Sequence, residues 1–140
     1  ESTTPVSAER FVTLVAAVMD NGNLSYVNAG HPAGLLWTEN GDIERLQTTG
    51  PMVSAAFPQW TWERRTVPAA AGSCILIYTD GVSDALSGEH DLGEEQIAAV
   101  IERHRAGGAA LADAILAEVK LQFGGRPQPD DLTLLTARRV

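Results

Sequence analysis

Two acidic motifs hold the residues best suited to chemistry. The first is Tyr78-Thr79-Asp80-Gly81, where the unbroken apolar run Cys74-Ile75-Leu76-Ile77-Tyr78 stops and a short segment, Val82-Ser83-Asp84-Ala85, begins. An acid at the end of a central strand is held on a rigid element and aimed at the crevice beyond it, as a metal ligand must be. Taken alone, Asp-Gly equally makes a turn or caps a following helix. The second motif is Asp130-Asp131, directly before Leu132-Thr133-Leu134-Leu135. Adjacent carboxylates repel unless a cation or a helix N-terminus stabilises them, and no helix is predicted to follow. A solvated loop tip after Gln128-Pro129 is the plainer alternative. Together, the motifs put Asp at the mouths of two apolar strands that can lie side by side. Oxygen-only donors of this kind suit Mg2+ or Mn2+ better than zinc.

A third candidate is the turn Asn28-Ala29-Gly30-His31-Pro32, whose His31 has a proton exchangeable near neutral pH and could act as a general acid or touch a substrate. Turn histidines are more often structural. His104 continues the apolar stripe of a predicted helix, His90 sits in a polar stretch, and neither has zinc-protease spacing. No glycine-rich phosphate loop precedes a helix, no nucleophile elbow surrounds a serine, and Cys74 has no activating neighbour in sequence, so covalent catalysis is disfavoured. Trp37, Trp60 and Trp62 are spaced as packing residues of strands.

The elements that must position these groups follow from periodicity. Residues 11–19 and 24–27 flank Asp20-Asn21-Gly22-Asn23 and predict a hairpin; residues 33–37 and 43–46 flank Glu39-Asn40-Gly41-Asp42 and predict another. Residues 48–59, with Gly50, Pro51 and Pro58, predict a loop, and residues 60–67 alternate as a half-exposed strand. After a turn at 68–72, residues 74–78 predict a strand covered on both faces. Two helices are expected, over 94–105 and 109–123, divided by Gly107-Gly108, and then a last strand over 132–137. Strands, then helices, then a strand describe an α+β layered domain.

The chain has 140 residues, 44% of them hydrophobic, enough for one ordinary core; the expectation is a single domain, or a large piece of one, spanning 1–140. A net charge of −8 argues against nucleic acid as partner and is compatible with a cation site. With Cys74 as the lone cysteine there is no intramolecular disulfide, and a cytoplasmic location is expected, with any upstream membrane or sensor segment left open.

From Phe11 to Arg138 the pattern resembles the metal-dependent PPM-type protein serine/threonine phosphatases, in the bacterial branch of stage II sporulation protein E. The resemblance lies in Phe11-Val12-Thr13-Leu14, Tyr26 to Pro32, Gly50-Pro51, Leu76 to Gly81 and Asp130 to Leu135. It implies a β-sandwich flanked by helices, in α-β-β-α layers, incomplete on its N-terminal side. It also implies a pair of Mn2+ or Mg2+ ions that activate water for attack on phosphoserine or phosphothreonine. By this resemblance Asp80 and Asp130 are metal ligands, Asp131 is a neighbouring acid, and Gly81 lies near the site. Asn28, Gly30 and His31 form a family-typical turn without an assigned step. The implied substrate is a phosphorylated regulatory protein of the anti-sigma-factor antagonist type, with a sensor region upstream. The family's further Asp-x-Gly motif, whose carboxylate bridges the two ions, has no counterpart before Phe11. The chain is therefore expected to be a piece of a longer domain that holds one ion or none, is inactive alone, and covers its exposed sheet by self-association. The competing expectation is a non-catalytic module that kept the scaffold to bind a partner.

Overall fold

A computed structural model describes residues 10–56, 58–87, 93–125 and 131–140. The chain forms two compact units, one made of the described residues within Glu1–Ala33 and Leu46–Ala69, the other of those within Gly34–Arg45 and Ala70–Val140.

In the first unit, β2 (Leu14–Asp20) and β3 (Asn23–Ala29) form the first expected hairpin. Asn21 and Gly22 take φ values of 48° and 81°, the left-handed pair that lets a two-residue turn match the strand twist. β7 (Arg65–Pro68) pairs with the other side of β3, giving the order β2-β3-β7. The short strands β1 (Phe11–Val12) and β6 (Val53–Ser54) pair separately, so the expected 48–59 loop contains a strand. The strand expected over 60–67 shrinks to Arg65–Pro68. Instead, Trp60 and Trp62 close around Gly50, where an added Cβ would lie 2.5 Å from the Trp62 ring, and Trp62 Nε1 donates to the Pro51 carbonyl at 2.7 Å.

The second unit is a sheet with a helical layer. Its strand order is β5-β4-β8-β9, with β4 at Gly34–Trp37, β5 at Glu44–Leu46, β8 at Cys74–Tyr78 and β9 at Leu134–Arg138. As its apolar run predicts, β8 is central, antiparallel to β4 and β9. Leu35, Trp37, Cys74, Leu76 and Tyr78 project to the helical side, where they meet Val82, Leu86, Ile97, Ile101, Leu111, Ile115 and Val119 in one buried cluster. Leu36 and Ile75, on the alternate positions, are also buried, so both faces of these strands are covered.

Three helices build this layer: α1 (Asp80–Ser87), α2 (Gly93–Arg103) and α3 (Gly108–Phe123). The sequence predicts α2 and α3 only. Asp80 to Ser87 is too short for a clear period, and the pair Val82 and Leu86, four residues apart and both buried, was its one signal. Gly107 and Gly108, each at φ 69°, part α2 from α3, and Gly124 closes α3 in a left-handed cap.

The second Asn-Gly turn differs from expectation, because Gly41 is not in the left-handed region. The loop is shaped from a distance. Arg105 Nη1 donates to the carbonyls of Thr38, Glu39 and Gly41 at 2.8, 3.4 and 2.7 Å, while its own carbonyl accepts from Trp37 Nε1 at 2.9 Å. No helix among the described residues is long and apolar enough to cross a membrane.

Candidate metal centre

The site is built where β8 gives way to α1. Antiparallel pairing of β8 with β9, in the register Tyr78 to Leu134, brings the exit of one strand beside the entrance of the other. The pairing runs on through Thr79, whose N–H donates to the Thr133 carbonyl at 2.9 Å. Two residues further the backbones nearly touch: a Cβ on Gly81 would collide with the carbonyl oxygen of Asp131 and come within 3.1 Å of Leu132 Cδ2. Glycine is required at this position by close approach.

Two of the sequence motifs therefore converge at one end of the second unit's sheet. Asp80 is the first residue of α1 and is exposed; Asp131 is exposed on the adjoining segment. Asp130, expected as the second metal ligand, lies outside the described residues, and so does His90. The helix that α1 adds also gives Asp80 a second role, since a carboxylate in a first turn is stabilised by the helix dipole.

A divalent cation fits these donors in kind. The acids carried by the two adjoining segments, Asp80 and Asp131, offer carboxylate oxygens, donors of the kind that favour Mg2+ or Mn2+. Among the described residues, no group of three or more His, Cys, Asp or Glu side chains stands ready to hold a metal. Asp80 and Asp131 lie on the two adjoining segments, with Asp130 next to Asp131 in the chain.

Beneath the site, burial and the negative charge of Glu94 push the Tyr78 phenol up to about 12, and Arg45 partly opposes them. Arg45 pairs with Glu94 through its Nε and through an Nη2 to Oε2 bond of 2.9 Å, tying β5 to the first turn of α2. Tyr78 is thus a neutral buried support at neutral pH.

Asn28, Gly30 and His31 belong to the first unit, where they tie a knot. Asn28 is fully buried; its Nδ2 donates to the Leu46 carbonyl at 3.1 Å, and its Oδ1 accepts the His31 N–H at 2.9 Å. Thr49 Oγ1 accepts the Asn28 N–H at 3.0 Å, and Gly30, at φ 65°, donates its N–H to the Gly50 carbonyl. His31 Nδ1 lies 2.9 Å from Thr13 Oγ1. These contacts give the turn a structural purpose. His104 is half-buried just past α2, where its N–H donates to the Ile101 carbonyl at 2.9 Å. Cys74 is buried with its thiol pushed up by burial, so it stays protonated and unreactive.

Sequence reading passed over the threonines that flank the acids. Thr79 and Thr133 join the two strand ends through side chain as well as backbone, and the available signal was a Thr within two residues of the acid in each motif.

Comparison with known proteins agrees with this architecture. The family model of stage II sporulation protein E matches residues 2–140. Protein IcfG of Synechocystis is 33% identical over 132 residues, covering 92% of this chain and 21% of that protein. The RsbU and RsbW domains of a Mycobacterium tuberculosis protein are similar with a TM-score of 0.68 and 25% identity, covering 91% of this chain and 36% of that one. The PP2C phosphatase domain of SpoIIE from Bacillus subtilis gives a TM-score of 0.76 at 14% identity, covering 96% and 40%. The catalytic domain of the serine/threonine phosphatase PstP, solved with two manganese ions, gives 0.66 at 19%, covering 96% and 61%. The chain thus spans about a fifth of the curated relative and 36% to 61% of these solved chains.

Proposed function

The chain belongs to the stage II sporulation protein E family and has the fold of PP2C phosphatase domains, and on that premise we propose that it is the metal-holding part of a protein serine/threonine phosphatase. The carrying observation is the packing of Gly81 against the Asp131 carbonyl, which brings the segments of Asp80 and Asp131 to one sheet end. Asp80 and Asp130 would hold Mn2+ or Mg2+, with Asp131 as the neighbouring acid. When bound, such ions supply Lewis acidity, neutralising phosphoryl oxygens and making a water more acidic. The chain's residues would contribute negative charge at one end of the sheet, with Tyr78 kept neutral below it.

The substrate is proposed to be a phosphoserine or phosphothreonine on a regulatory protein of the anti-sigma-factor antagonist type, in the cytoplasm, with a sensor region elsewhere in the longer protein. In support, the 25%-identical structure from Mycobacterium tuberculosis holds an RsbU and an RsbW domain in one protein. By itself the chain is proposed to be inactive. Two divalent ions close together repel, and without a further bridging carboxylate the acids here would retain a single ion, loosely.

The competing reading is a partner-binding module that keeps the scaffold without catalysis. Hydrolysis of p-nitrophenyl phosphate and of a phosphoserine protein, by the chain alone and by the longer protein, with Mn2+ and after chelation, separates the two. Metal-dependent turnover by the longer protein alone is expected. An inactive longer protein would favour the module, and robust turnover by the short chain would overturn its proposed inactivity.

A further inference from the structure

We propose that Thr79 is a positioning residue whose side-chain hydroxyl holds the Asp80 and Asp131 segments together where the strand becomes a helix; this rests on the metal reading above. In a regular antiparallel ladder, opposed residues of a hydrogen-bonded pair exchange both N–H···O=C bonds. Thr79 and Thr133 make only half of that exchange: the Thr79 N–H reaches the Thr133 carbonyl at 2.9 Å. The Thr79 carbonyl is diverted, because it accepts the Val82 N–H at 3.0 Å in the first turn of α1. The hydroxyl takes over, and Thr79 Oγ1 accepts the Thr133 N–H at 3.1 Å. The same oxygen lies 3.4 Å from the Thr133 carbonyl, to which it can donate.

This substitution of a side chain for a carbonyl has a geometric consequence. The chain turns into α1 directly after Thr79 while β9 stays paired, so Asp80 leaves the sheet only one residue beyond the last bond to the strand that Asp131 precedes. Valine at 79 keeps the size and β-branching but offers no acceptor. The Thr133 N–H would turn to water and the two segments would be free to separate. Serine restores the acceptor.

The test compares the whole chain with Thr79→Val, Thr79→Ser and Asp80→Asn. Three readouts are used: thermal unfolding, amide hydrogen exchange at Thr133, and Mn2+-induced broadening of amide signals near 80–83 and 131–133. Thr79→Val is expected to stay folded, to exchange its Thr133 amide about tenfold faster, and to bind Mn2+ about 2- to 10-fold more weakly, while Thr79→Ser stays near the original on all counts. Unchanged Thr133 protection in Thr79→Val, or Mn2+ affinity within twofold of the original, would overturn the role of Thr79. Loss of Mn2+ binding in Thr79→Ser equal to that in Thr79→Val would overturn it as well. No saturable Mn2+ effect on the original chain, or one indifferent to Asp80→Asn, would refute the metal reading and the positioning role with it; Thr133 exchange would still show whether the clamp exists.

Discussion

Replacing Gly81 with alanine sets two effects of opposite sign against each other. Gly81 lies in the first turn of α1 with helical φ, so alanine is conformationally allowed and helix propensity alone would favour it by about 0.8–1.0 kcal/mol. Against this, the new Cβ would collide with the Asp131 carbonyl oxygen and press on Leu132 Cδ2 at 3.1 Å. A backbone carbonyl cannot rotate away as a side chain end can, so α1 or the Asp131 segment must shift. Overpacking of this kind costs typically about 1–3 kcal/mol. The difference leaves a net destabilisation of about 0–2 kcal/mol, centred near 1, or a fall in Tm of about 2–6 °C for a chain of this size. Thermal and urea unfolding should show it, and Mn2+ affinity should fall too, because the strain acts on the segment that carries Asp131. A rise in stability of about 1 kcal/mol with unchanged Mn2+ response would show that propensity decides the outcome and that the two motifs are not in close approach.

Asn28→Ala should destabilise by about 2–4 kcal/mol in urea unfolding, since it leaves the Leu46 carbonyl and the His31 N–H without their buried amide partner. Because the folded state holds Tyr78 protonated up to about 12, its contribution is fully present below the unfolded pKa near 10 and is lost as pH rises from there through 12. Tyr78→Phe should flatten that part of the stability curve. Phe11, Val12, Leu14 and Val18, each 51% to 64% exposed, should drive association at high concentration, and Val18→Lys should restore a monomer in sedimentation velocity.

Much of the site's scaffold was legible because its signals are local. The run Cys74 to Tyr78 is unbroken and apolar, which only a strand covered on both faces requires, and Asn21-Gly22 has the turn chemistry its hairpin uses. Where long-range contacts decide, the sequence misleads. Asn40-Gly41 carries the same dipeptide, yet its loop is shaped by the guanidinium of Arg105, remote in sequence. Trp60 and Trp62 alternate like strand residues, but their rings are drawn to the space that Gly50 leaves. α1 escaped because, among its described side chains, two turns of helix bury Val82 and Leu86, too few positions to set a period. At the site, the placement of Asp80 beside the segment of Asp131 was readable from two strand ends with matching acids, whereas the exchange of Thr79's carbonyl for its hydroxyl depends on the helix that was missed.

The central claim, that Asp80 and Asp130 hold a divalent cation at the end of the β8–β9 pair, is tested most directly by anomalous scattering from crystals of the chain grown with Mn2+. A manganese peak roughly 2.0–2.3 Å from a carboxylate oxygen of Asp80, with Asp130 or Asp131 as its next protein neighbour, is the predicted result. A peak that avoids Asp80 altogether, or none at saturating Mn2+ with Asp80 instead bonded to the backbone of α1, would contradict it and leave Asp80 as a helix cap.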